Sequence, residues 1–213
     1  MKTDDLIAML ASGPDIGVAA RPARATALPM LGGVLASALL MLTLLGLRPD
    51  LALAALLPAF WVKLVFSGAL AWAGWLAAKR LCAPGARTTM LPLFLGGPVL
   101  LLWCVAGAAL LQAAPEARAD QFWGSTWRYC PALIALMSLP VLVAALHVMR
   151  GLAPTRLRLA GAAAGFGAGA AAAVAYCLHC PEMSAVFVGF WYLLGMLVPA
   201  GLGAVLGPRV LAW

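Results

Sequence analysis

The fold is decided by a stretch that contains no Asp, Glu, Lys or Arg, YCPALIALMSLPVLVAALHVM (residues 129–149). A helix of about 20 apolar residues, rising 1.5 Å per residue, crosses the hydrocarbon core of a bilayer. Runs of this kind, each with at most one charged residue, lie at 25–47, 51–78, 88–115, 129–149, 159–181 and 183–208. They are continuous and rich in Ala, Leu and Gly, whereas membrane β-strands alternate. The sequence therefore predicts an all-α integral membrane protein, a bundle of six transmembrane helices.

Composition and charge placement support the same class. Of the 213 residues, 65% are hydrophobic and 10% are charged, whereas soluble domains carry about 25% charged residues. With the N-terminus inside, ten Lys and Arg fall in cytoplasmic segments and only Arg48, Arg118 and Arg128 fall outside. This positive-inside bias predicts a multi-pass membrane protein with both termini cytoplasmic. The net charge of +7 thus reports topology and does not indicate direct binding of nucleic acid.

The chain divides into a cytoplasmic N-terminal segment, residues 1–24, and a six-helix membrane domain, residues 25–213. Asp4 and Asp5 place negative charge at the start of a short helix whose apolar residues are Leu6, Ile7 and Leu10. A helix of this length is unstable alone in water, so it is expected to order against a partner or the membrane surface. These five residues are the predicted partner-binding positions.

The sequence Tyr176-Cys-Leu-His-Cys-Pro-Glu182 gathers two thiols, an imidazole and a carboxylate between two apolar runs. Such groups can bind a metal or form a disulfide. Cys180 is the central candidate for a metal ligand or a redox-active thiol, with Cys177, His179 and Glu182 as possible auxiliary ligands. A thioredoxin-like use of Cys177 and Cys180 requires a βαβ context that this sequence lacks.

Cys130 is expected to lie level with this cluster on the periplasmic side. The segments from Cys130 to Met149 and from Arg158 to Cys177 each span 19 residues, about 29 Å of helix, and a short turn joins them. Cys130 and Cys180 could then approach within the roughly 4.4–6.8 Å Cα separation of a disulfide. They are the predicted signal-sensing thiols and the tentative ligands of a transient metal ion. The alternative is that they are small apolar residues, the interpretation favoured for Cys82 and Cys104.

Lys63 is the one fixed charge well inside a predicted span, and intramembrane ionisable groups are functional candidates. Its side chain can extend toward the outer surface, where Asp50, Asp120 or Glu182 would be its partner. Two interpretations remain open at this point: a structural anchor, or a residue that pairs with the site and gates it.

Gly161, Gly165 and Gly169 recur at four-residue spacing and form a ridge that permits close helix packing. The ridge can pack inside the bundle, or it can form a homo-oligomer interface. Both interpretations are compatible with the spacing.

Motifs along the whole chain resemble the NrsF family of bacterial inner-membrane negative regulators. They include Lys2-Thr-Asp-Asp-Leu-Ile7, Gly46-Leu-Arg-Pro-Asp50, Phe60-Trp-Val-Lys63, Ser138-Leu-Pro140, Pro154-Thr-Arg156, Ala160-Gly-Ala-Ala-Ala-Gly165, Leu178-His-Cys-Pro-Glu182, Trp191-Tyr192 and Gly207-Pro-Arg209. The resemblance implies an anti-sigma factor that holds an extracytoplasmic-function (ECF) sigma factor of the sigma-F type inactive. It also implies that Cys130 and Cys180 are the two family cysteines and that Cys177 is an addition of this chain.

Two other functional classes remain as alternatives: a membrane thiol-disulfide oxidoreductase and a transporter of a metal or small solute. The sequence contains no phosphate-binding loop, nucleophile elbow or paired intramembrane carboxylates. We therefore expect no enzymatic activity and no required cofactor. The expected partners are a cytoplasmic ECF sigma factor and the lipid bilayer, and the expected signal is metal or redox stress.

Overall fold

The computed structural model describes residues 3, 5, 23–83, 89–152, 154 and 156–212. Over these residues the chain forms helices and no strand. The helices are α1 (Ala23–Leu44), α2 (Leu51–Ala54), α3 (Pro58–Leu81), α4 (Leu91–Gln112), α5 (Pro115–Trp123), α6 (Cys130–Arg150), α7 (Leu157–Tyr176) and α8 (Ala185–Val210). Six of them, α1, α3, α4, α6, α7 and α8, are long and apolar enough to cross a membrane. The predicted all-α fold with six helices of spanning length is confirmed.

Two helix boundaries differ from the apolar runs, and both differences involve proline. The second run begins as the short α2, and α3 starts only at Pro58 because Leu57 is extended, as residues before proline usually are. The fifth run stops being helical at Tyr176, and a non-helical turn precedes α8. This turn contains Pro181. The functional cluster therefore lies on a turn between two helices.

Helix α7 is the centre of the bundle and packs against α8, α3, α6 and α1. Its Gly161 and Gly165 approach α8 so closely that an added Cβ would meet the carbonyl oxygens of Gly203 and Pro199. Gly169 similarly packs on Met196. Because α8 already covers this ridge, the interpretation of Gly161, Gly165 and Gly169 as a homo-oligomer interface is wrong.

Helix α3 crosses α7 at a second contact between glycines. A Cβ added to Gly74 would lie 2.6 Å from Gly167 Cα, a separation that no side chain could occupy. The two backbones therefore touch, and α3 is held against the centre of the bundle. Helices α1 and α4, by contrast, are the least buried of the six.

The two ends of the bundle differ in charge. The end that carries the turn 177–184 is called the cysteine end, and the opposite end is called the basic end. Over residues 23–212, as far as they are described, every acidic residue lies at the cysteine end. These residues are Asp50, Glu116, Asp120 and Glu182. The described cations of the basic end are Arg24, Lys79, Arg80, Arg150, Arg156, Arg158 and Arg209.

Candidate functional site

The turn 177–184 joins α7 to α8 and begins as a continuation of the helix. The amides of His179 and Cys180 both donate to the carbonyl of Tyr176, at 3.0 and 2.9 Å. Pro181 has no N–H to continue this pattern. The helical pattern therefore ends at Cys180, whose side chain is fully buried.

Cys130 and Cys180 meet at this point. Cys130 begins α6, both side chains are fully buried, and both thiols are free. The two thiols and the hydroxyl of Tyr176 lie in one buried cluster, close enough to influence one another's ionisation. Thr126 Oγ1 lies 3.9 Å from Cys180 Sγ. Interaction with the neighbouring Cys130 thiol lowers the pKa of the Cys180 thiol. The structure thus brings the two predicted thiols together.

Cys177 is held apart in its own environment. Its Sγ lies 3.9 Å from Ser67 Oγ of α3, and burial raises the pKa of its thiol to about 11. Since the thiolate is the reactive form, Cys177 is the less reactive thiol of the turn.

Tyr192 places a polar group beside the thiols of the turn. It is fully buried in the π-helical turn Val188–Tyr192 of α8, next to Cys177 and Cys180. Among the described residues its hydroxyl has no well-formed hydrogen bond. An unused buried donor is rare in folded proteins, and π-turns are frequent at functional sites. The Tyr192 hydroxyl can therefore donate a hydrogen bond to a neighbouring sulfur when that sulfur loses its proton.

Lys63 lies beneath the turn with only 1% of its surface exposed, and it is the only charged side chain so buried among the described residues. Its Nζ donates to the carbonyl oxygen of Cys180 at 2.9 Å and to that of Glu182 at 3.0 Å. These partners are backbone atoms, so the expected pairing with the carboxylate of Asp50, Asp120 or Glu182 is wrong. Backbone carbonyls satisfy the ammonium without an acidic side chain.

His179 and Glu182, the predicted auxiliary ligands, are turned to other partners. His179 Nδ1 is 3.1 Å from the carbonyl oxygen of Gly46, which can only accept, so this nitrogen carries the proton. Glu182 accepts from the amide and the hydroxyl of Ser125, at 2.8 and 2.7 Å. Over the described residues, no three His, Cys, Asp or Glu side chains are grouped to hold a metal ion.

Gly124 makes room for the Glu182 carboxylate. It adopts φ +56°, and a Cβ added there would lie 2.8 Å from the carboxylate. Replacing Glu182 by Ala is expected to lower the apparent melting temperature in detergent by a few degrees. Hydrogen bonds to charged groups contribute about 1.5–3 kcal/mol when buried and less at this half-exposed position. Glu182→Gln should lose less, because it keeps one acceptor oxygen. Equal melting temperatures for wild type and Glu182→Ala would contradict this assignment.

Arg48 is a site residue that sequence reasoning did not select. Its backbone amide donates to the Leu178 carbonyl at 3.2 Å, and its guanidinium reaches the Cys180 carbonyl at 3.4 Å. The guanidinium also forms a bidentate pair with Asp50, at 2.8 and 2.6 Å, and this hydrogen bonding lowers the pKa of the Asp50 carboxyl. The sequence feature that could have identified Arg48 was Gly46-Leu-Arg-Pro-Asp50, one of the motifs that carry the family resemblance.

Of the predicted partner-binding residues, Asp4, Leu6, Ile7 and Leu10 lie outside the described residues. Asp5 is described and exposed. The partner-binding role of the N-terminal segment therefore remains a prediction.

Comparison with known proteins gives consistent matches along the chain. A family model described as negative regulator of sigma F matches residues 10–213. A probable anti-sigma-F factor NrsF of Azospira oryzae is 53% identical over 213 residues, 100% of both chains. The anti-sigma-F factor NrsF of Caulobacter vibrioides is 41% identical over 216 residues, again 100% of both chains. No solved structure matches. The chain therefore belongs to the NrsF family of negative regulators of sigma F, a regulatory and not an enzymatic family.

Proposed function

We propose that this protein is a membrane-embedded anti-sigma factor that restrains an ECF sigma factor of the sigma-F type and releases it in response to metal or redox stress. The observation that carries the sensing part is the proximity of two free, buried thiols, Cys130 and Cys180, in one cluster at one end of the bundle. The names of the two relatives support the anti-sigma part.

The distribution of charge supports an orientation in the inner membrane. Basic residues collect on the cytoplasmic side of membrane proteins, so the basic end faces the cytoplasm. Both termini then lie inside, and the cysteine end faces the periplasm, where disulfides are permitted. Signal input and partner binding are accordingly on opposite sides of the membrane.

The thiol pair supports two kinds of reversible input. A two-electron oxidant, such as a peroxide or a diazene, would accept two electrons and two protons from the thiols as the Cys130–Cys180 disulfide forms. A soft metal ion would instead displace the thiol protons and bind both sulfurs. Because no third ligand is grouped with the two thiols among the described residues, two-sulfur coordination fits this metal input best. Neither input requires a resident cofactor.

The oxidoreductase alternative has less support. Disulfide exchange through a Cys-x-x-Cys pair would need a reactive Cys177, whereas burial raises the pKa of this thiol to about 11. Within the described part of the chain, no geometric observation favours transport of a solute.

Exposed cations at the basic end, such as Arg150, Arg156 and Arg158, can contact acidic surface on the sigma factor. The N-terminal segment would add apolar anchors through Leu6, Ile7 and Leu10.

Co-purification tests the anti-sigma assignment. The full chain, extracted from membranes, is expected to retain the candidate sigma factor and to lower transcription from its promoter. A chain lacking residues 1–24 should accumulate in the membrane but retain at least tenfold less sigma factor, since it lacks the predicted anchors. A chain with Gly107→Ala, on the outer surface of α4 with no neighbour within 4 Å, is the control. Failure of the full chain to bind or repress contradicts the assignment, whereas full binding by the shortened chain contradicts only the role of the segment.

A further inference from the structure

We propose that Lys63 couples the thiol pair to the basic end of the bundle: its ammonium ties the backbone of Cys180 to α3, so that a change at the Cys180 sulfur shifts α3. This inference rests on the proposed function, because it assigns the path by which an event at the thiols reaches the partner-binding side.

The first support is the position of the Lys63 ammonium. It donates to the carbonyl of Cys180, the residue that carries the reactive sulfur, and to that of Glu182 two residues later. Both bonds join a side chain of α3 to the backbone of the turn. The turn therefore cannot change its carbonyl directions without moving Lys63 or breaking charge-assisted hydrogen bonds.

The second support is the location of Lys63 on α3. It lies five residues after Pro58, at the cysteine end, and the same helix reaches Lys79 and Arg80 at the basic end. Ser67, one turn further along α3, contacts Cys177. Helix α3 thus touches the turn twice and extends from it to the opposite face of the bundle.

The third support is the way α3 packs. At Gly74 its backbone contacts Gly167 of α7, so no flexible side chain separates the two helices there. Closely packed helices move as units between discrete arrangements and do not deform gradually. A displacement at Lys63 is therefore expected to be transmitted along α3 and not absorbed locally.

A static anchor and a coupling residue predict different results. Only if Lys63 is a coupling residue should its replacement leave disulfide formation intact while transcription no longer responds. The test uses the full chain in cells with a sigma-dependent reporter, with Cys82 and Cys104 changed to Ser. Diamide, a diazene, oxidises the thiols and is itself reduced to the hydrazine. Labelling of the remaining free thiols with a polyethylene-glycol maleimide, read as a gel shift, reports the disulfide.

In Lys63→Met we expect repression before diamide to match wild type, since α3 keeps its packing on α7. The disulfide should form as in wild type, but the rise in transcription should fall at least fivefold. Lys63→Arg, which keeps the positive charge and N–H donors, should stay within twofold of wild type. Val62→Met, at an exposed neighbour on the same helix, is the matched control.

A full transcriptional response in Lys63→Met overturns the inference. Loss of basal repression or of disulfide formation in Lys63→Met also overturns the inference, because Lys63 would then be needed for the structure of the site and not for coupling. If Lys63→Met does not accumulate in the membrane, Lys63→Gln is judged by the same readouts. If wild type forms the disulfide without a transcriptional response, the proposed redox input fails, and this outcome is separate from any result at Lys63.

Discussion

A chain in which Cys130 and Cys180 are both serine is expected to repress like wild type but to lose its response to diamide or a soft metal ion. Serine is close to cysteine in size, and at both positions it keeps a hydroxyl that can bond to Thr126 or Tyr176. The bundle should therefore persist. Serine cannot form a disulfide and is a poor ligand for soft metals. The ratio of induced to basal transcription should fall to about one.

The single variants should behave like the double variant, because both forms of input require two sulfurs. Cys104→Ser is the matched control, since Cys104 is an exposed thiol on α4. Cys177→Ser should also keep the response if Cys177 is an addition outside the sensing pair. An unchanged induction ratio in the double variant would remove the thiols from the mechanism and leave the anti-sigma assignment intact.

Replacing Gly203 by Leu is expected to abolish repression through loss of the folded bundle. A Cβ at Gly203 would meet the carbonyl oxygen of Gly161, and Gly161 in turn has no side chain that could move aside. Overpacking usually costs about 1–3 kcal/mol and more where backbone must shift, as here. The measurements are membrane accumulation, a monodisperse peak on size exclusion in detergent, and reporter transcription.

Gly201→Leu provides a control two residues away on the same helix. Gly201 has no neighbour within 4 Å, so the added side chain points into open space. The same change of residue is therefore expected to leave accumulation and repression at wild-type levels. Equal tolerance of Leu at 201 and 203 would show that the close packing of α7 and α8 is not needed for the fold.

The six long helices were predictable because a run of apolar residues satisfies its backbone hydrogen bonds within a bilayer only as a helix. The meeting of Cys130 and Cys180 also followed from local information, since two helices of equal length joined by a short turn end at the same level. The oligomer interpretation of Gly161 failed because a ridge of small residues specifies close approach but not the identity of the approaching helix. In this chain that helix is α8.

The partners of Lys63 could not be read from the sequence for a related reason. The expected partners of a buried cation are acidic side chains, and Asp50, Asp120 and Glu182 are three of the four at the cysteine end. The actual acceptors are carbonyl oxygens of Cys180 and Glu182, groups that every residue carries. Which carbonyls are turned inward depends on the path of the turn around Pro181, and this path appears only in three dimensions.

This use of backbone carbonyls has a consequence for how the turn can evolve. A side-chain partner would have to be retained by selection, but a carbonyl survives any substitution that preserves the local backbone path. Apart from Pro181, which shapes the backbone path, and Glu182, which bonds to Ser125, the turn after Cys180 is thus free to change its side chains, whereas one inserted or deleted residue would displace the acceptors from Lys63. In relatives of this protein, the number of residues between Cys180 and α8 should stay constant even where the residue at 183 changes.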